Sequence, residues 1–327
     1  MYEWQMGRIT ALENLLHIMR VTPQNQQCFH IHGSFGDVYI QLSVIKEILA
    51  LLGKRVTLII DERYRRLIEL SLGGRCDVIF FNAQAMNNVF NMVGFVGTSS
   101  SLPIRFLSTL YPIITELITS RRLYYSDFVR QVAGSTVVGP FAALEEPSSN
   151  HINEALDLIR TTGVSPGRAV LISADNNTQV EFEKNFWDHI IEVLIKIGLS
   201  PVINDSGTLS ADGSVLFSGS SLPKIKVPPH LAVAACSAAG GYVGGTNGFQ
   251  TIQALFNRDT CGIHFINGFG ADKSGIPDKA GNYVRVDTFF HSKAFAKEFL
   301  GTQTEFIVDL KTSKRELEDL LVRVFVR

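Results

Sequence analysis

The sequence is poor in cysteine: four in 327 residues, none in a CxxC pair, which leaves little for zinc or thiol-redox chemistry. Cys28, Cys76, Cys236 and Cys261 each sit in or beside an apolar segment. That is the setting of small buried thiols in a reducing cytoplasm, not of a disulfide scaffold. Excess charge of one sign is lacking too. Thirty basic residues balance thirty-one acidic ones, so a net charge of -1 offers no field to gather polyanions. No basic stripe suggests nucleic acid; the nearest candidate, Arg121 and Arg122 in SRRLYY, reads as a solvated helix end. No apolar run approaches the roughly 18 residues of a membrane-spanning helix. The N-terminal MYEWQMGRITALENLLHIMR has helical spacing, but Glu13, Asn14 and His17 break any signal-peptide core. It reads as an amphipathic helix, compatible with peripheral contact with a membrane surface.

The common nucleotide signatures are missing as well. Gly33-Ser34-Phe35-Gly36 lacks the GxGxxG spacing, although Asp61 stands where a ribose-binding acid would fall, and no Gly-Lys-Ser/Thr follows the first strand.

What is present is the composition of an ordinary globular chain, 46% hydrophobic and 19% charged, long enough for two domains. The first half alternates apolar runs with helical patterns: CFHIH (28–32), a helix from Asp37 to Leu52, RVTLIID (55–61), a helix near Tyr64 to Leu72, and DVIFFN (77–82). Strands apolar throughout and separated by helices indicate a parallel sheet covered on both faces. Residues 87–134 read as helices joined by loops, and Pro, Gly and Ser cluster at 139–150 and 161–168, around a helix at His151 to Arg160. The alternation then restarts with strands at 168–173, 199–204, 214–219, 241–245 and 261–266 and helices at 181–197, 230–239 and 249–257. SKRELEDLLVRVFVR closes the chain as an amphipathic helix, with Ser313 and Glu316 in capping-box positions. The expected domains are 1–160 and 161–310, with a final helix at 311–327 that packs back across them. Two such sheets facing each other would place a shared ligand site in the cleft at the carboxyl ends of their strands.

The residues that could carry chemistry sit in the turns. In HGSFGDVYIQ, Gly33 and Gly36 allow close backbone approach around Ser34, and Asp37 opens the next helix, where the macrodipole favours its charge. Asp37 is either a helix cap or a cleft-facing carboxylate. GGTNGFQTIQ (244–253) joins a glycine-rich turn to a helix N-terminus, with Gly245, Thr246, Asn247, Gly248 and Thr251 as candidate phosphate contacts, or forms an ordinary tight turn. Lys184 is a candidate point charge for a phosphate, or a solvated helix lysine. His30 and His32, at i, i+2, read as partly buried, hydrogen-bonded histidines ahead of metal ligands, as does His264. Lys273 and Lys279 lie in a long glycine-rich loop, 267–282.

GSFGDVYIQLSVIKEILALLGKRVTLIID resembles the opening of the heptosyltransferase-like glycosyltransferases: a small-x-Gly-Asp turn, a helix, then a strand ending in Asp. RAVLISADNNTQVEFEKNFWDHIIEVLIKIGLSPVIN is similar to the start of that family's donor domain, and residues 221–265 follow its later order of helix, short strand, glycine-bearing turn, helix and strand. The resemblance implies an α/β, GT-B-like fold of two facing Rossmann-like domains with an interdomain cleft. By the same implication an acceptor binds the N-terminal domain, a nucleotide-sugar binds the C-terminal one, and no metal or cofactor is required. Asp37 then matches the base that deprotonates a glycan, lipid-linked or protein acceptor, Lys184 matches a family lysine, and sugar transfer proceeds with inversion. The lack of an Asp-x-Asp motif agrees with metal-free departure of the diphosphate. One departure stands out. Where relatives commonly read Asp-Ser-Gly-x-x-His, this chain has Thr246-Asn247-Gly248 and Thr251, which removes an acid and a potential cation. An epimerase or hydrolase of nucleotide-sugars, or a binding protein that has lost the chemistry, uses the same fold.

Overall fold

The computed structural model describes residues 26–33, 35–81, 104–107, 125–139, 147–174, 181–205, 220–245, 260–270 and 303–326, with isolated positions between these ranges. The N-terminal helix expectation lies outside the described residues except at Glu13 and Arg20, both helical and exposed. The chain divides into two compact units, Met1–Arg121 with Tyr125–Val137, and Arg122–Tyr124 with Val138–Arg327.

The first unit carries a four-stranded sheet of order β3-β2-β1-β4, formed by β1 (Cys28–Ile31), β2 (Thr57–Asp61), β3 (Asp77–Phe81) and β4 (Ile104–Phe106). Every pairing is parallel, as the unbroken apolar runs require. Helix α1 (Phe35–Leu52) links β1 to β2, and α2 (Arg65–Leu72) links β2 to β3. α1 is buried almost all round, which fits a helix apolar on every side. Its one buried acid, Glu47, meets Arg130 on α3 (Tyr125–Ala133). Arg130 donates through Nη2 to Oε1 at 2.5 Å and through Nε to Oε2 at 3.0 Å, and the Ser135 hydroxyl donates to Oε2 at 3.1 Å.

The second unit carries six parallel strands in the order β12-β9-β8-β5-β6-β7: β5 (Ala169–Ser173), β6 (Ser200–Asn204), β7 (Lys224–Ile225), β8 (Gly241–Gly244), β9 (Gly262–Asn267) and β12 (Gln303–Val308). β10 (Ile276–Pro277) and β11 (Tyr283–Val284) form a separate antiparallel pair. The helices are α4 (Ser149–Arg160), α5 (Lys184–Lys196), α6 (Ala232–Ala238) and α7 (Lys314–Phe325). An aromatic core of Phe182, Phe186, Trp187 and Phe265 joins α5 to β9. A fully buried side chain of this size contributes roughly 1.5–3 kcal/mol. On α7, Leu317, Leu320, Leu321 and Val324 pack into the same core. Ser313 caps the helix: its hydroxyl accepts from the Glu316 N–H at 3.2 Å while Glu316 accepts from the Ser313 N–H at 2.7 Å.

The division between units falls at Val137 and Val138, beside the Pro, Gly and Ser cluster at 139–150, and α4 packs against α6 inside the second unit. Three points differ from the sequence reading. Residues 104–106, expected within a helical stretch, form β4; they occupy the free edge of β1, and the Leu107 N–H extends the ladder to the His30 carbonyl at 3.1 Å. In the stretch read as a strand at 214–219, Phe217 lies in a turn with φ of 62°, and the strand that pairs with β6 is β7. β12 went unrecognised; it pairs with β9 along six residues.

Candidate functional site

In both sheets the strand order changes direction beside the first strand of the unit: β1 lies between β2 and β4, and β5 between β6 and β8. Such switch points open a crevice at the carboxyl ends of the strands, where parallel sheets bind ligands.

In the first unit that end holds the Gly33 turn. Gly33 has φ of 144°, a conformation L side chains rarely adopt. A Cβ there would stand 2.8 Å from Cβ and 2.9 Å from Oδ2 of Asp37, so the carboxylate leans directly over the glycine. Asp37 is the third residue of α1 and half-buried, within the first turn of the helix rather than at its cap. The helix N-terminus still favours its charge. Gly36 is buried in the same turn, and Ser34 lies outside the described residues. The Tyr64 hydroxyl donates to the Gly33 carbonyl at 3.3 Å, and the Gln41 amide brackets His32, accepting from its N–H at 3.1 Å and donating to its carbonyl at 2.8 Å.

Electrostatics keep the residues around this turn in definite states. Burial raises the Tyr64 phenol, with Asp61 and Asp37 adding to that and Arg63 opposing it, so Tyr64 remains a hydrogen-bond donor. His32 is lowered by burial and by Arg63 against the pull of Asp61, and His30 is pushed down to about 3 by burial and by His32. Both imidazoles are neutral near pH 7. Among the described residues, no group of three or more His, Cys, Asp or Glu side chains could hold a metal ion.

In the second unit the corresponding end holds the Asn247 turn. The Gly245 N–H donates to the Ser173 carbonyl at 3.1 Å. The Asn247 amide nitrogen donates to the Ser173 carbonyl at 3.0 Å and lies 3.2 Å from its hydroxyl. The Asn247 oxygen accepts from the Tyr242 hydroxyl at 3.1 Å and from the Phe249 N–H at 2.9 Å. This side chain, a candidate phosphate contact, ties β5 and β8 to the start of the following helix. Gly248 and Thr251 are buried and helical, and Thr246 lies outside the described residues. Gly244 is required because a Cβ would meet the Tyr242 hydroxyl oxygen at 2.1 Å. Lys184, the first residue of α5, is partly exposed and donates to Asp188 Oδ2 at 2.6 Å. Its segment is anchored to β9 by Asn267, whose amide donates to the Glu181 carbonyl at 3.2 Å.

His264 is fully buried on β9 and pushed down to about 4 by burial, against a hydrogen bond with Gln303 that raises it. Its Nε2 lies 2.9 Å from Gln303 Oε1, while the Gln303 amide donates to the Thr260 carbonyl at 2.5 Å, so Nε2 is the nitrogen that bears the proton. Cys28, Cys76 and Cys236 are buried and Cys261 is half-buried, and burial pushes the Cys76 thiol up to about 12. No helix among the described residues is long and apolar enough to cross a membrane. Lys273 and Lys279 lie outside the described residues.

The backbone around these two strand ends is similar to known structures. A family 9 glycosyl transferase from Veillonella parvula superposes with a TM-score of 0.58 at 8% identity, over 93% of this chain and 97% of that one. The dodecameric iron-containing heptosyltransferase TibC, from a complex with ADP-D-beta-D-heptose, gives 0.53 at 8% identity over 93% and 77%. The E. coli heptosyltransferase WaaC with ADP gives 0.50 at 9% over 91% and 99%. The fold is that of the GT-B heptosyltransferases. No protein-family model and no curated protein matches the sequence, so at this identity the likeness resides in the backbone.

Two residues near the sites were not singled out from the sequence. Tyr64 follows β2 and reaches Gly33 only because β1 and β2 are adjacent, and Ser173 ends β5 without any motif around it. Only the strand order supplies a signal for either.

Proposed function

We propose that this chain is a glycosyltransferase that moves a sugar from a nucleoside-diphosphate-sugar to an acceptor hydroxyl on a glycan, a lipid-linked sugar or a protein. The observation that carries the reading is the carboxylate of Asp37, set over Gly33 at the end of β1 in a chain with the fold of sugar transferases. A sugar hydroxyl is a weak nucleophile, and a carboxylate within hydrogen-bond reach accepts its proton as the new bond forms. The second unit serves the leaving group. Backbone N–H groups at the start of the helix that opens at Gly248 provide positive potential for a diphosphate, and Lys184, the first residue of α5, adds a charge on release from Asp188. This chemistry needs neither metal nor cofactor, and direct displacement inverts the anomeric centre. Its place is the synthesis of bacterial glycans in the cytoplasm.

Thermal-shift measurements with ADP, UDP, GDP and their sugars test the reading, since a ligand bound to the native state raises its melting temperature. Stabilisation by one nucleotide series is the expected result, followed by transfer assays with the matching sugar. No stabilisation by any of them would overturn it.

A binding protein without turnover is the second reading, favoured by one observation. The turn that carries Asp and His in relatives carries Thr246 and Thr251 here, and the side chain of Asn247 beside them is engaged within the protein. Nucleotide-sugar binding without transfer or hydrolysis would select it.

A further inference from the structure

We propose that Asp61 binds a hydroxyl group of the sugar acceptor and so forms, beside Asp37, a second contact that fixes the acceptor's orientation; this rests on the glycosyltransferase reading above. Asp61 is the last residue of β2. His30 pairs with Ile59 and Ile31 with Ile60, so Asp61 lies alongside His32 at the carboxyl end of the sheet. Strand alternation puts it on the same face as Ile59, and therefore on the face of His30 and His32.

Asp61 is 3% exposed, and its two carboxylate oxygens differ. Oδ1 accepts from the Arg63 N–H at 2.9 Å, which caps the short helical turn Glu62–Tyr64, and the Arg63 guanidinium nitrogen Nε stands 3.8 Å from the same oxygen. Oδ2 is buried and accepts no hydrogen bond. The capping role thus accounts for one oxygen only. A buried acceptor left unbonded costs free energy that an ordinary structural residue would not carry, and such unmet polar atoms gather where a ligand completes them.

The surroundings narrow the class of ligand. An ionised carboxylate only accepts, so the partner must donate, which excludes phosphate and carboxylate groups. The Arg63 cation, stacked 4.7 Å from the Tyr64 ring centre, disfavours an ammonium group at the same place. A neutral hydroxyl remains. The location suits an acceptor, because Tyr64, three residues after Asp61, is bonded to the Gly33 carbonyl beneath the Asp37 carboxylate.

Asp61→Asn keeps the shape and the capping oxygen while removing the charge; Asp61→Ala removes both. The probes are methyl α-D-glucoside, methyl α-D-mannoside and methyl α-D-galactoside, titrated against the full chain by saturation-transfer NMR, with the melting temperature recorded without ligand. At least one glycoside should bind the native protein, and Asp61→Asn should weaken it about tenfold or more, the scale of a hydrogen bond to a charged group. The melting temperature of Asp61→Asn should be unchanged or higher, and ADP binding unaffected. Equal glycoside binding by the native chain and both variants, or no glycoside bound by the native chain, would overturn the assignment. ADP, UDP and GDP together distinguish the two failures: a chain that binds one of them but shows no Asp61 effect loses only this inference, whereas one that binds none loses the glycosyltransferase reading as well.

Discussion

The Tyr64 hydroxyl donates to the Gly33 carbonyl at 3.3 Å, so a residue following β2 holds the turn on which the Asp37 carboxylate rests. Tyr64→Phe removes that bond and the hydroxyl's interaction with the Arg63 side chain, and keeps the ring. Urea unfolding should show a loss of about 1 kcal/mol. Transfer should slow while nucleotide affinity stays unchanged, because the proposed donor turn belongs to the other unit. Full activity in Tyr64→Phe would show that the turn holds its position without the bond.

Asp37→Asn tests the proposed proton acceptor. The side chain keeps its size beside Gly33, so nucleotide-induced stabilisation should persist while transfer falls by roughly 100-fold or more. A wild-type rate would place the base elsewhere.

Asn247→Ala should act through structure. It removes the bonds that Asn247 accepts from the Tyr242 hydroxyl and the Phe249 N–H, each buried, and should cost roughly 2 kcal/mol. Nucleotide affinity should fall with it as the turn loosens. If affinity falls with no change in the unfolding midpoint, the side chain touches the ligand directly.

The buried pair Glu47–Arg130 ties α1 to α3, and removing one partner leaves the other charge without compensation. Arg130→Met should destabilise the first unit by about 3–5 kcal/mol, whereas the double change to Met at 130 and Leu at 47 should recover much of that loss. Chemical denaturation of the three chains is the measurement.

His30 and His264 carry pKa values of about 3 and about 4 in the native state, against an ordinary value of 6.5. Below pH 6.5 the unfolded chain takes up protons that the folded chain refuses, so their contribution is complete above 6.5 and is lost as pH falls toward 4. Each should add a slope approaching about 1.4 kcal/mol per pH unit. Denaturation midpoints measured from pH 7 to 5 should therefore fall, and His264→Gln should flatten part of the slope.

Much of this fold was legible because its central strands are apolar on both faces. CFHI, TLIID and AVLIS could hardly be anything but covered parallel strands, and the helices between them fixed the alternation. What escaped were strands at the edges and ends. β12 is a mixture of buried and half-exposed positions in QTEFIV, β7 is two residues long, and β4 is three residues whose only cue is the open side of β1. For the candidate site, spacing placed Asp37 and the glycine turn near 245 at helix starts, because a glycine followed by a helix start is a local pattern. It did not reveal that Asn247 turns inward or that Tyr64 bonds Gly33. Those facts depend on which strands lie side by side.

The placement of α7 has a consequence for how the chain is made. Leu317, Leu320, Leu321 and Val324 complete a core that begins with β5, so the second unit cannot close until residues 314–325 have left the ribosome. All four strands of the first sheet have emerged by Phe106, and α3 by Ala133. The Asp37 half is thus free to fold during synthesis, while the Asn247 half waits with its aromatic cluster uncovered, which makes it the portion that calls on chaperones.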